Sequence, residues 1–415
     1  MICKKLSFII NVLILSLIFT SCAGSRELNE LGIIMSTGID FVDGKVLVTN
    51  EVMMPSSSPT KGTESKSNSV IYLQHEGKTI FEALRNATLT FDRKLFLSHN
   101  RVLIFGEEFA KRGIGDYINF YDYDSEPRES AYLLVAKGAK AYEVMGINEG
   151  LSDAPGKYLE SLVENYIYTS KTSSITLNEY NRYFFETKAP VLGVVERIEK
   201  RVINKERADE SQKDSRLVLN VEGGAAFYKD SLIGYYTGEE MIGFNFIVDE
   251  IEGGLIVFEV PDKYISPDTK YTGTKGKYTV LEIKKNKTKK DIQIDNEKIT
   301  LNIDVKVKGV IGEETKGLRL TELEVKNAIE NACSEKVKEY INMTLEKAQK
   351  ELKMDTFSIN TLFHQQYPDL WRSISNDWES IFTSIDCNVN VETNIIRTGL
   401  IDIPTNIEKG DKSAY

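Results

Sequence analysis

The segment YTVLEIKKNKTKKDIQIDNEKITLNIDVKVKGVIG, residues 278–312, alternates apolar and polar side chains over three runs. A period of two puts one set of side chains on each face of a sheet, so the segment reads as an antiparallel meander with one wet face. Downstream, Val325, Ile329, Cys333, Val337, Ile341, Leu345, Ala348 and Leu352 recur three or four residues apart. That spacing marks one face of a helix over 321–353, which should bury against the meander. Thr321 and Glu324 form a capping box at its start. Beyond Asp355 lies LFHQQYPDLWRSISNDWESIF, a second helical region interrupted by Pro368, with Trp371, Ile374, Trp378 and Ile381 on one side. NVNVETNIIRTGLI then alternates like a final strand. Residues 276–402 are therefore expected to form a C-terminal α+β domain of sheet and long helix.

Working towards the N-terminus, 216–275 reads as a small β-rich middle region. GGAAFYKDSLIGYY gives two short strands around Lys229-Asp230, and GLIVFEV a third. Residues 196–216 are dense in charge, as a solvated linker or a charged helix would be, and a domain boundary is placed there. Residues 22–200 form the N-terminal α+β domain. Within it, 33–40 and 45–54 are β-rich around the hairpin signal Asp43-Gly44, and 55–69 reads as an exposed loop. Ile80, Leu84, Ala87 and Phe91 share one side of a helix. Both RVLIFGEEFAKRGIGDYINFY and SAYLLVAKGAKAYEVM run from a buried strand into a helix. The fold class is α+β and multi-domain, mixed or antiparallel sheets covered by helices.

The chain opens with Lys4 and Lys5, an apolar run from Leu6 to Thr20, and then Ser21-Cys22-Ala23-Gly24. The run is short for a membrane span, which needs about 20 apolar residues. Its layout is that of a signal peptide over 1–21. Phe19-Thr20-Ser21-Cys22 resembles a bacterial lipobox, in which Cys22 receives a diacylglycerol and becomes the first mature residue. The other reading is an uncleaved anchor with a chance cysteine. Removing residues 1–21 takes the formal net charge from −10 to −12, since they hold two lysines and no acid. Such a chain is repelled by nucleic acid and by anionic headgroups, so no nucleic-acid partner is expected and membrane attachment is assigned to the lipid. Two acyl chains hold firmly where one binds only marginally.

Little else in the sequence announces chemistry. Of the four cysteines only Cys333 and Cys387 remain for the mature fold. Neither has metal-ligand spacing, and free thiols are preferred to a disulfide. Gly150–Ala154, GLSDA, approaches a nucleophile elbow around Ser152, but no strand leads into it. His75, His99 and His364 are the only imidazoles. His99 is read as a hydrogen-bonded residue at a strand entrance rather than a pH switch, and His364 as a packed ring near Trp371. Asp122, Asp124, Glu126 and Glu129 lack the glycine and closing glutamate of a calcium loop. Lys284, Lys285, Lys287, Lys289 and Lys290 could touch lipid headgroups or guard a sheet edge. Gly223-Gly224 and Gly253-Gly254 lack the context of a phosphate loop.

The lipobox cysteine followed by RELNELGIIMSTGID, then LFLSHNRVLIFGEEFAKRGIGDYINFYDYDSEPRESAYLLVAKG, GGAAFYKDSLIGYYTGEE, the lysine-rich meander, LFHQQYPDLWRSISNDWESIF and RTG occur in an order that resembles the C subunit of Ger-type spore germinant receptors, a lipoprotein family. Family members commonly carry Trp-Asp after the lipidated cysteine, where Ala23-Gly24 stand here. The resemblance implies a non-catalytic, lipid-anchored subunit on the outer face of the spore inner membrane. It also implies assembly with integral-membrane A and B subunits and contact with the bilayer through acylated Cys22. No enzyme activity and no cofactor are expected, and no small-molecule ligand for the isolated subunit. The alternative is a free-standing extracytoplasmic lipoprotein that binds or hydrolyses a small ligand.

Overall fold

The computed structural model describes residues 30–53, 70–123, 127–187, 189–201, 215–266, 277–296, 298–315, 317–318 and 323–397. Residues 1–21, read above as a signal peptide, Cys22, residues 55–69, read as a loop, and Thr321 of the expected capping box lie outside them.

The first sheet contains β1 (Leu31–Val42), β2 (Lys45–Met53), β3 (Val70–Gly77), β4 (Lys94–Phe96), β5 (Val102–Gly106), β6 (Tyr132–Ala136), β7 (Val191–Arg201), β8 (Ser215–Tyr228) and β9 (Ser231–Tyr236). Its order is β3-β2-β1-β5-β6-β7-β8-β9, with β4 beside the start of β1. The centre is parallel, β1 to β5 to β6 to β7, and both flanks are antiparallel. Asp43 and Gly44 both take positive φ, 49° and 81°, the backbone that a two-residue hairpin needs to match strand twist.

Parallel central strands must be covered on both faces, and β5 shows it. Leu103 and Phe105 point into one core, Val102 and Ile104 into another. The first core is closed by α1 (Ile80–Asn86), α2 (Glu107–Arg112), α3 (Gly115–Tyr123) and α6 (Leu177–Thr187). The second is closed by α4 (Ala141–Val144) and α5 (Pro155–Glu164). Helix α1 is shorter than expected, turning 3-10 at Ala87.

Two expectations about 196–275 need correction. Glu196 lies in β7, opposite Asn220 of β8, so the charge-dense stretch is in part an antiparallel ladder. The supposed middle region is not a separate unit either. Its strands β8 and β9 complete the first sheet, while β10 (Leu255–Glu259) belongs to the second. Between them runs α7 (Gly238–Val248), which the periodicity did not show.

The second sheet is β10-β11-β12-β13, with β11 (Tyr278–Asp295), β12 (Lys298–Glu313) and β13 (Asp386–Arg397). The three expected runs of 278–312 are two long strands, and a register shift between Ile283 and Lys285 breaks the first into two frames. Strand β13 pairs parallel to β12. A parallel neighbour requires a crossover, and α8 (Leu323–Glu346) provides it. The predicted stripe from Val325 to Ala348 is buried and Leu352 is packed at its end. The last turn, Lys347–Leu352, widens to a π-helix. Then follow α9 (Ile359–Gln366), α10 (Pro368–Ile374) and α11 (Trp378–Phe382), with Pro368 at the first position of α10, where its missing N–H costs nothing.

Gly243 of α7 faces Tyr340 and Thr344 of α8 so closely that a Cβ there would fall on the Tyr340 carbonyl. One core joins Val191 and Ala226 of the first sheet to α7, α8 and the second sheet. The free rim of β11 beyond β10 is closed by side chains. Asp249 Oδ1 accepts from Thr288 N at 2.7 Å, Gln366 Oε1 accepts from Ile292 N at 3.0 Å, and Tyr367 Oη donates to Ile292 O at 3.0 Å.

Candidate functional site

Buried ionisable groups are the usual mark of a reactive site, and three carboxylates stand out. Asp40 on β1 accepts from Ala141 N and Tyr142 N at 2.8 and 3.2 Å. Glu51 on β2 accepts from Gly156 N and from Ser36 Oγ at 2.7 Å. Asp355 accepts from Phe357 N, Ile359 N, Asn360 N and Trp378 Nε1. Each faces the first turn of a helix, α4, α5 and α9 respectively. Burial raises all three pKa values, and the N–H donors oppose it. A negative side chain there satisfies backbone donors that the helix itself cannot. Asp40 and Glu51 fix helices to the first sheet, and Asp355 joins the start of α9 to Trp378 at the start of α11.

A cleft of about 260 Å³ lies where β7 and α6 meet the end of α7. Its polar lining is Tyr166, Glu179, Tyr183, Asp249, Glu250 and Glu252 among others. Glu250 accepts from the Tyr183 hydroxyl, and burial raises its carboxyl. Glu252 is hydrogen-bonded to Tyr166. Glu179 accepts from the backbone and side chain of Thr176, both at 2.8 Å. Asp249 holds the rim of β11 and pairs with Lys287 at 3.2 Å. The acids of the cleft are thus occupied by neighbours within the fold.

The residues singled out in the sequence are scattered. His75 Nε2 contacts Thr90 Oγ1 at 2.8 Å, and burial lowers its pKa. His99 ends a 3-10 turn before β5, its ring 6.0 Å from that of Phe96. His364 stacks on Trp371 with ring centres 5.7 Å apart. Ser152 lies in the loop before α5, where its Oγ accepts from Ala154 N at 3.3 Å; no strand leads into it. Asp124 and Glu126 lie outside the described residues. Cys333 and Cys387 are free, and burial pushes both thiols up to about 12, so neither is a ready nucleophile. Gly223 takes φ 95° inside β8, where a Cβ would meet the Tyr236 carbonyl. Lys290 turns inward to Phe357 O at 3.2 Å, while Lys284, Lys285, Lys287 and Lys289 stay exposed. The capping carboxylates had not been singled out. Asp40 and Glu51 meet their backbone donors 101 to 105 residues away, where no local pattern shows them, whereas Asp355 takes three donors from two to five residues on.

Two family profiles match the chain in order. One, described as the spore germination protein N-terminal domain, covers residues 24–197; the other, spore germination B3/GerAC like, C-terminal, covers 222–399. The chain belongs to the Ger(x)C spore germination family. Among Ger(x)C relatives, spore germination protein KC of Bacillus subtilis (strain 168) is 24% identical over 97% of this chain and 98% of its own. Spore germination protein B3 of the same strain is 22% identical over 92% and 94%. The crystal structure of the GerBC protein superposes with a TM-score of 0.53 at 19% identity, covering 87% of this chain and 97% of that one. The Ger(x)C fold is therefore the mixed α+β fold described above. The two profiles part between 197 and 222, where β7 and β8 nevertheless pair across the gap.

Proposed function

We propose that this chain is the non-catalytic C subunit of a nutrient germinant receptor. It is held on the outer face of the spore inner membrane by diacylglyceryl-Cys22 and required for germination through assembly with integral-membrane A and B subunits. The observation that carries this reading is the match of both family profiles, in order, over nearly the whole chain. The names of the relatives, all spore germination proteins, support it. No helix among the described residues is long and apolar enough to cross a membrane; the assignment of attachment to Cys22 rests on the lipobox-like Phe19-Thr20-Ser21-Cys22. The cleft, whose acids are bonded within the fold, supports a subunit that positions membrane partners and does not take nutrient alone. Co-purification tests it: tagged protein from spore inner membrane should bring down two multi-span membrane subunits. Recovery of the tagged chain alone, under detergents that keep known membrane complexes intact, would sink the proposal.

A further inference from the structure

The parallel strands of the first sheet start at one end of it. Ser36 of β1, Val102 of β5 and Tyr132 of β6 stand abreast, and two residues on, Leu134 of β6 stands beside Gly193 of β7. Strand β1 reaches five residues further at that end, to Leu31, which pairs with Lys94 of β4. Eight residue steps separate Cys22 from Glu30, and at full stretch they span only about 27 Å. The opposite end is farther off. From Leu31 to the level of Ser36 is five residues, and from Val191 to Arg201, at the tip of the β7–β8 ribbon, ten more. At ~3.3 Å per residue that tip stands about 50 Å away along the strands. A lipid on Cys22 therefore brings a bilayer within reach of the strand starts and leaves the ribbon tip out of reach.

The tethered end also carries large apolar side chains bared to solvent. Leu89, 80% exposed, comes two residues before Phe91, whose ring lies against Gly32 of β1. Tyr123, 91% exposed, closes α3 two residues after Tyr121, which is buried beside Thr37. Phe185, 79% exposed, is on α6. That helix begins next to Thr176, which bridges to Tyr132, and ends four residues before Val191, so both its ends lie at strand starts. Beside β4 a shallow apolar cleft is lined by Phe81, Leu84, Leu95, Leu97 and Phe120. Exposed and half-buried charges at this end are of both signs, with Asp92, Glu129 and Glu186 set among Arg93, Lys94 and Arg128. Charge therefore selects no occupant here; the tether and the apolar side chains do. A protein hot spot gathers its anchors in one well-packed pocket. Leu89, Tyr123 and Phe185 instead come from separate elements around the strand starts, as apolar and aromatic side chains do where a protein rests in the interfacial layer of a membrane.

We propose, resting on the reading of Cys22 as the acylated residue, that the strand-start end of the first sheet docks on the lipid bilayer. Leu89, Tyr123 and Phe185 enter the interfacial layer, and the parallel strands rise away from the membrane. The contact is apolar and needs no anionic lipid, in keeping with a chain whose net negative charge such lipid would repel. The tip of the β7–β8 ribbon then points away from the bilayer.

Photolabelling from the lipid tests it. The full chain is purified from the membrane fraction, the mass of its N-terminal peptide is read, and the protein is reconstituted into phosphatidylcholine vesicles. These carry a trace of phosphatidylcholine with a diazirine near the glycerol end of one acyl chain. After brief irradiation, peptides holding Leu89, Tyr123 and Phe185 should carry at least fivefold more label than those holding Ile198 and Leu217, exposed aliphatics of the ribbon. The ratio should hold in ~1 M salt, where the Debye length shrinks to ~3 Å, because no charge drives the contact. Leu89→Glu/Tyr123→Glu/Phe185→Glu changes only exposed positions and should melt as wild type does. It should stay with the vesicles through its lipid and lose the ratio. Equal labelling of the two ends, or label confined to the N-terminal peptide, overturns the proposal. So does a pattern in spore inner membrane where the three side chains escape lipid label and cross-link to protein, which would assign this end to a membrane subunit. An N-terminal peptide without lipid removes the tether, and the proposal falls together with the reading of Cys22. Equal labelling of a lipidated chain fells the proposal alone.

Discussion

Trp378 Nε1 donates a hydrogen bond to Asp355 Oδ2 at 3.0 Å, and the same carboxylate receives three backbone N–H groups at the start of α9. With its ring 3% exposed and packed on Phe363 and Trp371, Trp378 ties α11 to the turn that launches α9. It belongs to the core, not to a partner-facing surface. Trp378→Ala should cost about 3–5 kcal/mol, as for other buried aromatics. Trp378→Phe, which keeps an aromatic ring but loses the indole N–H that Asp355 accepts, should cost about 1.5–3 kcal/mol. Urea denaturation of both variants measures this; equal, negligible losses would show that the contact contributes nothing.

Gly243 sits where α7 and α8 touch backbone to backbone. Gly243→Ala should force the helices apart and destabilise by about 1–3 kcal/mol, the cost of overpacking, although alanine is the better helix former. Gly44→Ala makes a useful comparison, since open space surrounds Gly44 and only its φ of 81° resists a side chain. Thermal melts that rank Gly243→Ala as neutral would refute the close helix contact.

Burial raises the Glu250 carboxyl above its ordinary value of 4.5, partly opposed by the Tyr183 hydroxyl. A carboxyl with a raised folded pKa contributes fully below its unfolded value and loses that contribution as pH rises through the folded pKa. Glu250→Gln keeps an acceptor for Tyr183 and cannot ionise. The two proteins should therefore melt together near pH 4, with the variant melting higher by pH 7. A constant gap across that range would mean that Glu250 titrates alike in the folded and unfolded chain.

Cys22→Ala should abolish incorporation of a fatty-acid analogue and deplete the protein from the membrane fraction. Because an uncleaved leader could still anchor the variant, the mass of the N-terminal peptide is read alongside the label. Undiminished label in the variant would exclude Cys22 as the acylated residue.

The C-terminal architecture was legible where one face of an element is wet. The stripe from Val325 to Ala348 showed in sequence because Lys326, Lys338 and their neighbours mark the opposite side of α8. Helix α7 is buried on nearly every side, so MIGFNFIV presents no polar phase to read. Its one local signal is the capping box of Thr237 and Glu240, each bonded to the other's backbone. Strand partnership was hidden for a different reason. Asn302 pairs with Asn388 in parallel register across 86 residues, and alternation within a strand says nothing about which strand lies beside it. Asp40 and Glu51 were equally silent, since Glu51 meets Gly156 only after the sheet and α5 have come together.

The seal along the rim of β11 rests on three side chains, two of them, Gln366 and Tyr367, at the very end of α9. A brief lifting of that helix would bare the amide and carbonyl of Ile292 together, making the rim a template for a strand from a second copy. Polymerisation is thus held back by the seating of one short helix, itself pinned at its other end by Asp355. Loss of that pin should appear first as concentration-dependent oligomers, before any loss of secondary structure.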